Sequence, residues 1–219
     1  VNKTALLCRM PECLISTYLD DMPLAAELKA DFEWAKSIAV GPGLSMNGVA
    51  AEITRCVLER EDKVRILDAD ALNIIAGEHI DYKGSREGQI IITPHIMEMS
   101  RLTGKTVSDI KEHMIETAKE YAIQHSCICI LKDARTVVTD GQKVYINCTG
   151  NDGMSTGGCG DVLTGLIAGM TAMGLDAFDA ACLSVYVHGK AGDYVAAGKG
   201  RAGMTAADIS EAIAYVLKR

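Results

Sequence analysis

The sequence predicts an α/β fold: a mostly parallel sheet with helices on both faces, joined by right-handed crossovers. Three observations carry this expectation. Short apolar runs at Ser37–Val40, Val64–Leu67 and 89–92 alternate with helical patterns. The run 127–131 (Cys-Ile-Cys-Ile-Leu) is apolar throughout, the mark of a strand covered on both faces. Each run also ends in glycine, proline, aspartate or another polar residue, with a helix beginning after each of the first three, which gathers chemistry at the carboxyl edge, where open α/β sheets bind ligands.

Taken in order, residues 4–10 read as a short helix, 13–18 as a strand, and 20–36 as a polar helix ending near Trp34. Ser37–Val40 runs into Gly41-Pro42-Gly43-Leu44-Ser45 and a helix over 47–59. Val64–Leu67 repeats the scheme, with Asp68-Ala69-Asp70 at its end and Asp70 as the N-cap of a helix over 71–77. Two readings stand for this pair: aspartates holding Mg²⁺ or hydroxyls, or one cap and one loop residue. Strand 89–92 ends in Thr93-Pro94-His95, and His95 opens a helix bearing Glu98, Met99 and Leu102. A lone histidine is more often structural than catalytic.

Residues 108–125 are expected as one amphipathic helix, with Ile110, Met114, Thr117 and Tyr121 on its buried stripe. After strand 127–131 come Lys132-Asp133-Ala134-Arg135-Thr136, whose charges suit the flank of a turn. Strands Val137–Thr139 and 143–146 around Asp140-Gly141 read as a β-hairpin. Three helices close the chain. Gly165 and Gly169 suggest tight helix packing in the first, and Gly189 and Gly192 in the second, where His188 reads as a core residue. Thr205-Ala206-Ala207-Asp208 is a capping box for the third, whose buried stripe is Ile209, Ile213, Val216 and Leu217.

The hairpin and the first closing helix are joined by the most informative stretch, residues 150–161. Glycines at 157, 158 and 160 let a ligand approach the main chain, and N–H groups at a helix start make an anion site. Asp161 stands at that start. A carboxylate repels bound phosphate, so one reading makes it the acceptor of a proton from an attacking hydroxyl; the other makes it a plain helix cap.

Composition narrows the classes. The chain has 219 residues, 48% hydrophobic, enough for one substantial core. Its net charge of −7, with 22 scattered basic residues, two Phe and one Trp, offers no nucleic-acid surface. It has no apolar run of 18 residues, which argues against a membrane span. Eight cysteines lie in apolar, periodic segments without a CxxC pair or zinc spacing, as expected for reduced thiols in the cytoplasm.

The residues Gly157-Gly158-Cys159-Gly160-Asp161 resemble the anion-hole signature of the ribokinase-like superfamily, with Cys159 in place of the usual Thr. The longer run, with Gly150-Asn151, Gly153-Met154 and Thr156, resembles one branch, the nucleotide-dependent NAD(P)H-hydrate dehydratases, which repair nicotinamide cofactors whose ring has been hydrated. Gly41-Pro42-Gly43-Leu44-Ser45 is similar to that family's Gly-Pro-Gly-Leu-Gly, and the string from Asp68 to Asn73 matches. Thr93-Pro94-His95 and Glu98-Met99 resemble Thr-Pro-His-Pro-Gly-Glu-Met, with Ile96-Met97 replacing Pro-Gly. Residues 131–136 resemble Leu-Lys-Gly-Ala-Gly-Thr, with Asp133 and Arg135 where glycines usually stand.

The resemblance implies a ribokinase-like three-layer α/β/α domain over residues 1–219. Family members begin with a strand and a Gly/Ala-rich helix before the point corresponding to Val1, so the domain is expected to be N-terminally incomplete. It implies Asp161 as catalytic base, and Gly43, Asp68, His95 and Asp161 against the hydrated NADH or NADPH. Lys132, Asp133, Ala134, Arg135, Thr136 and Gly160 are implied for the nucleotide, and Gly157, Gly158, Cys159 and Gly160 for the anion hole. The co-substrate is ADP or ATP, with ADP favoured, and Mg²⁺ is the expected cofactor, with no side chain assigned as its ligand. A homo-oligomer, commonly a tetramer, is the implied assembly. A small-molecule kinase of the same superfamily and a nucleotide-binding protein without catalysis are the competing functions.

Overall fold

The computed structural model describes residues 3–16, 24–85 and 89–218. The chain divides into two compact units, 1–35 and 36–219. The first holds α1 (Lys3–Arg9) and α2 (Leu24–Trp34). The strand expected over 13–18 is not present at 13–16; 17 and 18 lie outside the described residues. Pro11 starts a turn there and Leu14 is exposed, so this stretch has neither a ladder partner nor a buried face.

The second unit carries a six-stranded sheet in the order β1-β2-β3-β4-β5-β6. The first four strands, β1 (Ser37–Val40), β2 (Val64–Leu67), β3 (Ile90–Ile92) and β4 (Ile128–Leu131), pair in parallel. β5 (Val137–Thr139) and β6 (Val144–Ile146) add an antiparallel hairpin. Its turn is closed by Asp140, whose Oδ1 accepts from the amides of Gln142 and Lys143.

Strands added in sequence order by right-handed crossovers put their connecting helices on one face. These are α3 (Gly48–Leu58), α4 (Ala69–Glu78), α5 (Ile96–Thr103), α6 (Val107–Glu112) and α7 (Met114–His125). The other face receives α8 (Cys159–Ala172) and α9 (Ala177–Lys199), on which α10 (Ala206–Val216) packs. Strand residues alternate between faces. Ile66, Ile91, Ile128, Ile130 and Val138 therefore meet Leu163, Ile167, Ala181 and Val185 in one buried cluster. The architecture is a three-layer α/β/α sandwich.

Two expectations are corrected. The helix expected over 108–125 is broken at His113, whose φ of −130° and ψ of 44° leave the helical region. α6 packs on α5, whereas α7 packs on β4 and β5, and one straight rod cannot serve both. Gly165 and Gly169 are exposed, and a Cβ built on either meets nothing within 4 Å, so they do not serve close packing. Gly189 and Gly192 do: a Cβ there would lie 2.1 Å from Thr149 Oγ1 and 2.3 Å from Met154 S.

Candidate active site

The carboxyl ends of β1 to β4 and the start of α8 meet around Asp68. This residue follows β2 and is 1% exposed. Its Oδ1 accepts from Lys132 Nζ at 2.8 Å and its Oδ2 from Thr164 Oγ1 at 2.7 Å. Burial alone pushes its carboxyl pKa up. The Lys132 ammonium, with hydrogen bonds from Lys132, Thr164 and Thr93, outweighs that and holds it below the usual carboxylate value. Asp68 thus stays ionised, and it fixes the Lys132 ammonium at the site.

Asp68, not Asp70, occupies the N-cap position of α4, correcting the expected cap. Asp70 instead accepts from the Ser45 amide at 2.7 Å, tying the 41–45 turn to α4. Gly41 lies so close to the Asp68 carbonyl that a Cβ would sit 1.7 Å from it. Two non-glycine residues at positive φ, Ser45 at 70° and Ala69 at 46°, flank this junction. Left-handed backbone of this kind costs about 1–3 kcal/mol and collects at functional sites. Gly43, at the tip of the turn, is exposed.

β3 and β4 are joined beyond their ends by a bridge between His95 and Lys132, and Lys132 N donates to the Pro94 carbonyl at 2.8 Å. His95 caps α5: its Nδ1 accepts from the amides of Met97 and Glu98, while the Glu98 carboxylate accepts from the His95 amide at 2.8 Å. Accepting at Nδ1 leaves the proton on Nε2, which lies 3.4 Å from Glu98 Oε1. The ring has a structural task and keeps half its surface in solvent.

The loop before α8 is different in kind. Gly158 is left-handed, with φ of 87°, and the Cys159 amide donates to the Thr156 carbonyl at 3.3 Å. The amides of Gly157, Gly158, Gly160 and Asp161 find no acceptor among the described residues. Gly160 closes the circle: a Cβ built on it would lie 3.4 Å from Lys132 Nζ and 3.9 Å from Asp68 Oδ2. The Cys159 thiol is buried with Ala191, Val195 and Met204, so this residue faces the core. Asp161, in the first turn of α8, is exposed and has no hydrogen-bond partner among the described residues.

The structure therefore brings together Asp68, Lys132, Gly160 and Thr164, with His95 joined to Lys132 through the backbone. Asp133, Ala134 and Arg135 are exposed and are not drawn into this cluster; Thr136 Oγ1 donates to the Asp133 carbonyl at 3.3 Å. Thr164 was missed in the sequence. Its only signal there is its place one turn after Asp161 on an apolar helix. His188, read as a core histidine, is buried, and burial pulls its pKa down to about 4. The Cys159 backbone works against that shift and the Lys132 charge with it, which locates the ring behind the loop.

Among the described residues no group of three His, Cys, Asp or Glu side chains gathers as a metal cage. No helix there is long and apolar enough to cross a membrane.

Comparison with known proteins bears on the whole chain. The family model described as NAD(P)H-hydrate dehydratase matches residues 1–215. A bifunctional NAD(P)H-hydrate repair enzyme of Moorella thermoacetica is 44% identical over 183 residues, 83% of this chain and 34% of that protein. The chain spans well under half the length of the first such curated relatives, between 34% and 42%. An ADP/ATP-dependent NAD(P)H-hydrate dehydratase from Bacillus subtilis, co-crystallised with ATP and Mg²⁺, superposes with a TM-score of 0.80 at 30% identity, over 97% of this chain and 74% of its own. A ribokinase-like superfamily protein from Enterococcus faecalis superposes with a TM-score of 0.85 at 27% identity, over 98% of this chain and 73% of its own. The sandwich is thus a ribokinase-like fold, and the chain belongs to the NAD(P)H-hydrate dehydratase family.

Proposed function

We propose that this chain dehydrates hydrated NADH and NADPH at the expense of an adenine nucleotide. The observation that carries the reading is the pairing of amides at Gly157, Gly158 and Gly160 with a carboxylate at Asp161, all without a partner among the described residues, beside the fixed Lys132 ammonium. Amides and ammonium suit a phosphate chain, and the carboxylate suits an attacking hydroxyl.

In this reading Asp161 takes the proton as the ring hydroxyl oxygen bonds to the terminal phosphorus of the nucleotide, whose bridging P–O bond breaks. The amides hold the equatorial oxygens of the transferring group. The phosphate ester then leaves as phosphate, pushed by the ring nitrogen, and loss of a ring proton restores the dihydropyridine. Gly43 and His95 line the ring side. Lys132 and Gly160 hold phosphates, and residues 133–136 reach the nucleoside. Asp68 serves by orienting Lys132, its Oδ1 accepting from that ammonium while Thr164 holds Oδ2.

Mg²⁺ would arrive with the nucleotide, and the residues placed against the phosphates, Lys132 and Gly160 with the neighbouring amides, would hold it through the phosphate chain. When bound it neutralises phosphate charge. The Bacillus subtilis relative's dependence on ADP or ATP supports the nucleotide, and ADP is favoured because a relative from Neisseria meningitidis is described as ADP-dependent. A cytoplasmic setting accords with eight free thiols. A homo-oligomer, by analogy a tetramer, accords with β6, a terminal strand that exposes Val144 and Ile146.

The test is incubation with hydrated NADH plus ADP or ATP. Recovery of dihydropyridine absorbance with release of phosphate is expected. A stable phosphorylated product would indicate a kinase, and binding without turnover a nucleotide-binding protein.

A further inference from the structure

α9 is more than a cover for the sheet. Asp193, on this helix, gives both carboxylate oxygens to one short segment: Oδ2 accepts from the Gly150 amide at 3.0 Å, and Oδ1 from Asn151 Nδ2 at 3.1 Å. Asn151 passes the constraint on, its Oδ1 accepting from the Gly153 amide at 3.1 Å to cap the 3-10 turn Asp152–Met154. The contacts of Gly189 with Thr149 and of Gly192 with Met154 press the same segment onto α9. Local backbone bonds then run from Met154 N to Asn151 O, Ser155 N to Asp152 O, and Cys159 N to Thr156 O, reaching the open amides.

We propose that Asp193 is a positioning residue for nucleotide binding, acting through Asn151 and Gly150. A glycine-dense loop loses more conformational freedom on ordering than any other kind. A carboxylate that fixes its approach removes that cost before the ligand arrives, which appears in affinity. Gly150 sits at φ of 97°, a conformation the Asp193 bond holds in place. This inference rests on the reading of residues 157–160 as a phosphate site.

The test uses Asp193→Asn and the exchanged pair Asp193→Asn with Asn151→Asp. In the single variant one amide NH₂ faces another, and the clamp opens. In the pair, the new amide donates to the new carboxylate, still accepts from Gly150, and leaves an oxygen to cap Gly153. Affinity for ADP and ATP is measured by calorimetry, with KM, kcat and the melting midpoint on the same preparations. Asp193→Asn is expected to weaken nucleotide binding and raise its KM about tenfold, with kcat within about threefold. The exchanged pair is expected to recover most of that loss, which a purely stabilising role would not predict. Unchanged affinity in a folded Asp193→Asn, or an exchanged pair as weak as the single variant, overturns the inference. If the single variant does not fold, the exchanged pair decides alone: wild-type-like affinity supports the clamp, and weak binding overturns it. Wild-type protein that binds neither nucleotide overturns the phosphate-site reading, and this inference with it.

Discussion

Asp68 and Asp161 lie at the same edge of one sheet and are treated in opposite ways. Asp68 is buried, and both its oxygens are held by Lys132 and Thr164. Asp161 is exposed and unpartnered among the described residues, next to amides that are equally unengaged. A buried charge must be paired to exist at all. A carboxylate that is to accept a proton must keep an oxygen open and approachable. The first region sets the field of the site and the second is left available for chemistry, so mutations should divide by their main effect: stability, with nucleotide affinity through Lys132, at Asp68, and rate around Asp161.

The largest expected effect is at Asp68. Asp68→Ala leaves the half-buried Lys132 without its counter-ion and should cost about 3–5 kcal/mol in urea melts. A loss well under that would erase the contrast. Next, Gly160→Val drives a branched side chain at Lys132 Nζ and into the anion site. It should lower turnover by about 10²–10³ in protein that remains folded; a variant with normal turnover would remove Gly160 from the site.

Acid sharpens the contrast from the side of the buried groups. His188 titrates near 4 when folded and near 6.5 when unfolded, so the unfolded chain binds more protons between those values. Stability should fall by about 3 kcal/mol as pH drops from 6.5 to 4. Asp68, with its depressed pKa, should add a further loss only at lower pH, as the fold is driven through its own titration. Urea melts from pH 6.5 down to well below 4 check both, and a flat profile for wild type between 6.5 and 4, or an unaltered slope there in His188→Gln, contradicts the His188 assignment. The smallest effect belongs to Thr136, whose hydroxyl meets the Asp133 carbonyl and no other partner among the described residues. Thr136→Val should weaken ADP by about threefold to tenfold with turnover at saturation intact. No change in affinity would take Thr136 out of the nucleotide site.

The layered fold was legible because β1 to β4 announce themselves as short apolar runs closed by Gly41, Asp68, Thr93-Pro94 and Lys132. The convergence of Asp68, Lys132 and Gly160 was legible because all three follow strands or open a helix. What lay beyond reading was partner choice across long separations. Thr164 meets Asp68 over 96 positions and Asp193 meets Gly150 over 43, and no local pattern marks either pair. The break at His113 was hidden for a similar reason. The stripe from Ile110 to Tyr121 keeps helical phase through it, without glycine or proline, and only the divergent packing of α6 and α7 requires a bend. The capping role of His95 depends on a ring nitrogen doing what serine or aspartate usually does.

The most direct test of the whole account pairs wild type with Asp161→Asn, assayed side by side on hydrated NADH with ADP and with ATP. The change is isosteric and touches no hydrogen bond among the described residues, so fold and nucleotide affinity should persist. The account predicts nucleotide-dependent recovery of absorbance by the wild type and a rate lower by about 10²–10⁴ in Asp161→Asn, at unchanged nucleotide affinity. A variant that turns over at near the wild-type rate would contradict it.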